Sequence, residues 1–323
     1  MGNLNVAVLA PEGYAKDLGK KGTASDITFY NLKKGEDTVT IIEPTRYPER
    51  LAPLFFAASM ADYVIVVLSE ITPTLGEWVL MLESVGVKEG AVILKNYLTP
   101  EAVAPLFRGT VLAGYEFVDE DMIAMRERLL SAAAARTPMP PDAKSPAFGT
   151  VSIDHHFNVR GIGTVVLGGV ERGYIRKHDT LKLYPGEKSI LLRSIQKHDD
   201  DADWAGVGDR VGLALKNIEA EDLDRGFVLS NDDSIRVRKT LEAPAALVAY
   251  WPSPLKEGMV LHLGHWMQFV PARLDAVADN GDYRKPQLTL TLEKELVHLP
   301  GGRAVLHYLD GGKLRIVGTI ELP

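Results

Sequence analysis

The sequence predicts an α/β unit built on a parallel sheet, followed by an all-β region of two barrels. Three observations predict it. Up to about residue 135, short apolar runs alternate with helix-period segments. Residues 136–149 (RTPMPPDAKSPAFG) hold four prolines, which propagate neither helix nor sheet. Beyond them, short β-patterned runs recur between polar turn signals. The expected organisation is an α/β domain over 1–136, a Pro-rich linker over 137–147, and β-barrels over 148–238 and 239–323.

In the first domain, Asn5–Ala10, Thr38–Ile42, Tyr63–Leu68 and Ala91–Leu94 are apolar and rich in β-branched residues, as strands buried on both faces are. Glu49–Met60, Thr74–Val85 and Glu101–Phe107 read as helices between them. A last helix closes the unit at Ala135, with Asp119 as its expected N-cap. In the first barrel the strands are GTVVLGGV, TLKLYP, SILLRSIQ and RVGLAL. Gly161 and Gly163 are expected at a bend where side chains would collide, and Arg172-Gly173 at a turn before the next strand. The polar stretch 231–240 reads as the connection between barrels. From Leu241, LVAYW, MVLHL, QLTLTL, RAVLHYL and LRIVGTIEL repeat the β pattern.

Composition narrows the function. The 323 residues are 46% hydrophobic and 24% charged, which suits substantial cores rather than disorder. The absence of Cys excludes disulfides, thiolate metal sites and a Cys nucleophile. Residues 1–147 carry 14 basic and 19 acidic side chains, and residues 148–323 carry 22 and 24, so neither part has the basic excess of a general DNA binder. No apolar run approaches the ~20 residues of a membrane span. A cytoplasmic monomer without DNA or membrane partners is expected, and no metal site.

The segment DHHFNVRGIGTVVLGGVERG, residues 154–173, resembles the second domain of translational GTPases, that of the archaeal selenocysteine-specific elongation factor (SelB) more than that of elongation factor Tu. Residues 193–230 continue the resemblance to the end of that barrel, and PGGRAVLHYLDGGKLRIVGTIEL is similar to the end of the family's third domain. LGKKGTASDITFYN resembles the switch I region of the selenocysteine factors, and still more that of a SelB-like paralogue of methanogenic archaea. The resemblance implies a degenerate P-loop-GTPase-like domain followed by barrels like domains 2 and 3 of the elongation factors.

A nucleotide-hydrolysing member carries GxxxxGK[ST] after its first strand, where backbone amides wrap the phosphates, Lys neutralises them and Ser or Thr holds Mg²⁺. Here APEGYAKDLGKKGT keeps Gly13 and Lys16 without the Gly-Lys-Ser/Thr. A phosphate loop with a short helix needs ~18 residues, and Pro11 to Lys21 are too few. The family's Asp-Thr-Pro-Gly-His aligns with Glu43-Pro44-Thr45-Arg46-Tyr47, so Arg46 replaces the glycine that meets a γ-phosphate and Tyr47 the histidine that positions water. The switch I threonine falls on Ala24. The guanine-reading motif falls on Lys95-Asn96-Tyr97-Leu98, without its carboxylate. Ordinary GTP hydrolysis is therefore not expected, and the chain has no required cofactor; weak or unconventional GTP and Mg²⁺ binding stays open.

The family's aminoacyl pocket maps, by resemblance, onto Asp154, His155 and Arg210, with Phe157 beside the aminoacyl ester. Arg210 with a protonated His155 suits a compact selenolate or thiolate. The implied partner is aminoacyl-tRNA, selenocysteinyl or cysteinyl, with the ribosome as a further one. Arg172, Arg176, Lys177, Arg236, Arg238 and Lys239 are candidate tRNA-phosphate contacts. Two other functions stay open: a divergent GTP-hydrolysing elongation factor, and a non-catalytic scaffold that docks a ribosomal or synthetase partner.

Overall fold

The computed structural model describes residues 2–136, 148–186, 188–279, 281–310, 312 and 314–323. The expected linker at 137–147 lies outside the described residues. The chain forms two compact units, Met1–Pro138 with Tyr308–Val317, and Met139–His307 with Gly318–Pro323.

The first unit is built on seven strands: β1 (Asn3–Leu9), β2 (Lys20–Ala24), β3 (Thr28–Lys34), β4 (Asp37–Glu43), β5 (Tyr63–Leu68), β6 (Glu89–Leu94) and β7 (Glu116–Phe117). They lie in the order β2-β3-β4-β1-β5-β6-β7. Strands β4, β1, β5, β6 and β7 pair in parallel. The sheet is not wholly parallel, because β3 runs antiparallel to both β4 and β2. Sequence reasoning missed β2 for a physical reason: Lys-Lys-Gly-Thr-Ala is an exposed edge strand with no apolar face.

The helices are α1 (Ala52–Ser59), α2 (Pro73–Val85), α3 (Pro100–Phe107) and α4 (Met122–Ala134). The first three open with Pro in their first turn, where no amide partner is lost. The cap of α4 is Asp121, not Asp119: its Oδ1 accepts from the amides of Ile123 and Ala124 at 2.8 and 3.0 Å. Met125, Leu129, Leu130 and Ala133 of α4 pack on Leu4, Val6, Val8, Val39 and Ile41 of the sheet. Between β1 and β2 stands one four-residue 3₁₀ turn, Tyr14–Asp17, and no α-helix.

The second unit opens with β8 (Gly149–Val159), β9 (Gly163–Arg176), β10 (Thr180–Tyr184), β11 (Lys188–Lys197), β12 (Asp200–Ala202), β13 (Trp204–Gly206), β14 (Arg210–Lys216) and β15 (Val228–Ser230). Six of these close a barrel in the order β10-β15-β8-β9-β14-β11, with β11 returning to β10; β12 and β13 extend β11 and β9. Alternate residues such as Val151, Ile153, Val166, Val170, Val211 and Leu213 fill it. The second barrel comprises β16 (Arg236–Leu247), β17 (Val260–His265), β18 (Gln268–Ala278), β19 (Gln287–His298), β20 (Arg303–His307) and β21 (Ile316–Glu321). It closes as β16-β19-β18-β17-β20-β21.

Several local expectations change. The stretch 231–240 is not all connection, since β16 starts at Arg236 and pairs there with His298. Val248–Trp251 forms a turn rather than strand. Gly161 and Gly163 have φ of 82° and 97°, and a Cβ at either would meet nothing within 4 Å, so the need is for left-handed backbone and not for space. Gly173 lies inside β9, where it is the close approach: its Cβ would come 1.9 Å from the Phe148 carbonyl oxygen.

Candidate functional site

The site grows out of an irregularity in β8. Ile153 pairs with Gly168 of β9, yet His155 already pairs with Leu167, so Asp154 is the extra residue of a bulge. A bulge breaks the strict alternation of side chains along a strand. Asp154 and His155, although neighbours, therefore meet, with His155 Nδ1 2.6 Å from Asp154 Oδ1.

Arg210 comes from the start of β14, two strands away. Neighbouring strands stand about 4.8 Å apart, so a side chain from β14 must cross β9 to reach β8. Gly169 of β9 lies between the two in the pairing, opposite Ser152 on one side and Arg210 on the other. Arg210 donates from Nε to Asp154 Oδ2 at 3.0 Å and from a terminal nitrogen to Oδ1 at 2.9 Å, a two-pronged fork. The preceding Gly168 permits close packing, since a Cβ there would lie 2.2 Å from the Ser152 carbonyl oxygen.

Asp154 is 1% exposed. Burial opposes its charge, but Arg210's charge and the hydrogen bonds from His155 and Arg210 prevail and hold the carboxyl below its ordinary range. Both carboxylate oxygens are thus committed to Arg210 and His155, which fixes Asp154 as the residue that orients the other two. Phe157, 41% exposed, shares a face of β8 with His155 because the pairing beyond the bulge is regular. The structure thus brings together Asp154, His155 and Arg210, with Phe157 along the same face.

Sequence reasoning missed two neighbours. Arg225 donates from Nε to the Asp154 carbonyl oxygen at 3.1 Å. Glu171 accepts from the buried Ser152 hydroxyl at 2.5 Å and leans over Gly169. The visible signal was the Gly168-Gly169 pair followed by an acidic residue.

The candidate phosphate contacts differ among themselves. Arg172 pairs with Asp232 at 3.3 Å, and Arg176 stacks over the Tyr174 ring at 5.0 Å. Arg236 donates to the carbonyl oxygens of Asp233 and Ile235, and Lys239 to that of Glu293. Lys177 and Arg238 are exposed.

The positions aligned with nucleotide machinery are likewise placed. Gly13 is left-handed, with φ 79°, and its amide donates to Glu43 Oε1 at 2.8 Å. Lys16 and Ala24 are exposed. Arg46 points to solvent, 3.7 Å from Glu49, and the Tyr47 hydroxyl donates to Glu77 at 2.9 Å. Asn96 is left-handed, with φ 51°, and its amide reaches the Ser69 carbonyl oxygen at 3.4 Å. Among the described residues, no three His, Asp or Glu converge in a way that could hold a metal ion, and no helix is long and apolar enough to cross a membrane.

A mixed, mostly parallel sheet followed by two six-stranded barrels is the fold seen in translation elongation factors of the SelB type. Residues 163–230 match the family model for elongation factor Tu domain 2. The crystal structure of translation elongation factor SelB from Methanococcus maripaludis in its apo form superposes with a TM-score of 0.79 at 21% identity, covering 99% of this chain and 79% of that one. An uncharacterized protein of Methanocaldococcus jannaschii is 38% identical over 312 residues, 96% of each chain. The selenocysteine-specific elongation factor of the same organism is 33% identical over 123 residues, 38% of this chain and 26% of that one. The chain belongs to the translational GTPase superfamily, and within it to the SelB-like proteins.

Proposed function

We propose that this protein binds aminoacyl-tRNA, selenocysteinyl- or cysteinyl-tRNA by the chemistry of its pocket, and does so without ordinary GTP hydrolysis. The observation that carries the reading is the Asp154–Arg210–His155 constellation on the first barrel. Asp154 fixes the Arg210 fork and the His155 ring before any ligand arrives, so little ordering remains to be done on binding. A selenolate or thiolate beside them meets one permanent cation and one imidazole that becomes a second when protonated. A Cys thiol, ordinarily near pKa 8.5, is drawn towards thiolate in such surroundings. Phe157 supplies an exposed ring for the ester end, and the basic residues Lys177 and Arg238 supply phosphate contacts without sequence preference. The resemblance to selenocysteine-specific elongation factors supports tRNA and the ribosome as partners, in the cytoplasm.

On the first unit, ten residues with a single 3₁₀ turn stand where a phosphate loop and helix would be needed, and the rival reading of a divergent GTPase asks those residues for a new cradle. The deciding experiment is protection of the aminoacyl ester from hydrolysis, run with cysteinyl-, selenocysteinyl-, seryl- and alanyl-tRNA. Protection is expected for the two chalcogen esters and is lost in Arg210→Met. Folded protein that protects none of the four overturns the proposal, and calorimetric binding of GTP with Mg²⁺ supports the rival.

A further inference from the structure

In an open α/β sheet the seat for a ligand is the crevice at the carboxyl ends of the parallel strands, where successive connections turn to opposite sides. Here the chain leaves β1 for β2, β3 and β4 on one side and crosses to β5 on the other. The seat therefore lies at the ends of β1 and β4. Glu43 is the last residue of β4 and is 4% exposed. Its Oε1 accepts the Gly13 amide, from the loop after β1, at 2.8 Å. Its Oε2 accepts the hydroxyl of Tyr30, itself buried on β3, at 3.0 Å.

We infer that Glu43 is a resident anion, its carboxylate filling the crevice at the ends of β1 and β4 where a ligand's anionic group would sit, so that this unit accepts no free phosphate. An entering phosphate must take the Gly13 amide from Glu43 and then remain beside the displaced negative charge, a like-charge contact in a largely dry place. Gly13 keeps the left-handed turn that aims its amide inward, and nothing crowds it, so the donor is retained while its acceptor is supplied by the chain. Burial and then the Glu43 charge push the Tyr30 hydroxyl up to about 12. The inference concerns the first unit alone and holds whether or not the barrels bind tRNA.

Removing the carboxylate leaves two inward donors and a hole shaped for a small carboxylate. The full chain and its Glu43→Ala variant are melted with sodium formate, with sodium phosphate and with sodium chloride at equal ionic strength. Wild type should respond to all three alike. Glu43→Ala should melt about 4 °C lower or more, and formate should raise its melting point in a saturable way that chloride does not reproduce. A wild-type chain stabilised by formate or phosphate as strongly as the variant overturns the inference, as does a variant indifferent to formate. Should Glu43→Ala fail to fold, Glu43→Gln decides the matter. Its neutral side chain should let Tyr30 titrate back towards 10, read as the difference spectrum against Tyr30→Phe in each background. An unmoved Tyr30 overturns the inference.

Discussion

Replacing Arg210 by Met removes the fork while keeping much of the stem's volume. Asp154, 1% exposed, then holds a charge inside the barrel wall with His155 as its remaining side-chain donor. Breaking a buried pair from one side costs about 3–5 kcal/mol, because the other charge stays behind uncompensated. The pH dependence is more diagnostic than the size. In the wild type the folded pKa of Asp154 lies below its unfolded value, so its contribution is present above about pH 4 and lost as pH falls through the folded pKa. In Arg210→Met the burial cost is no longer outweighed and the folded pKa rises above the unfolded one. The variant should therefore recover stability relative to wild type as pH falls from about 7 to about 4.5. Urea titrations followed by tryptophan fluorescence read this, with Trp204 reporting from the same barrel. Adding Asp154→Asn to Arg210→Met should regain more than half of the loss at neutral pH. A single-variant cost below about 1 kcal/mol, independent of pH, would mean an ordinary exposed ion pair and refute the reasoning.

Two further outcomes are expected. His265 of the second barrel is 6% exposed, and burial, partly offset by its bond to the Arg303 carbonyl oxygen, lowers it to about 4. The unfolded chain thus binds the extra proton first, and stability should decline as pH falls from about 6.5 to about 4 by about 3 kcal/mol; a His265→Gln variant should lack that decline in equilibrium unfolding. Gly173→Ala should cost about 3 kcal/mol or more, since its Cβ meets the Phe148 carbonyl oxygen and its φ is 62°, whereas Gly161→Ala, strained in φ alone, should cost about 1 kcal/mol. Equal losses in chemical denaturation would show that crowding does not distinguish the two glycines.

Much of the candidate site was legible through the resemblance to the selenocysteine factors, which maps the pocket onto three residues whose types then carry the chemistry. Asp154, His155 and Arg210 stand out as a carboxylate, an imidazole and a guanidinium on strands of one barrel. That they meet was not legible. It depends on β9 lying between β8 and β14 and on the bulge at Asp154. Arg225 was missed because a bond to a carbonyl oxygen leaves no sequence pattern, and Glu171 because the Gly168-Gly169 pair before it does not by itself show that the carboxylate turns back onto Ser152.

By itself the amino-acid order determined the buried parallel strands β1, β4, β5 and β6 and where α/β character gives way to β. Runs of β-branched residues and proline punctuation act locally, through sterics that need no distant partner. The shortness of the loop after β1 is equally a property of the chain, since ten residues cannot hold a phosphate loop and a helix. Tertiary structure alone decided that β2 and β3 add an antiparallel edge, that Asp121 caps α4, and that Glu43 closes on Gly13. Each of these rests on register or on a contact between residues far apart in sequence, where a shift of one position redirects every side chain.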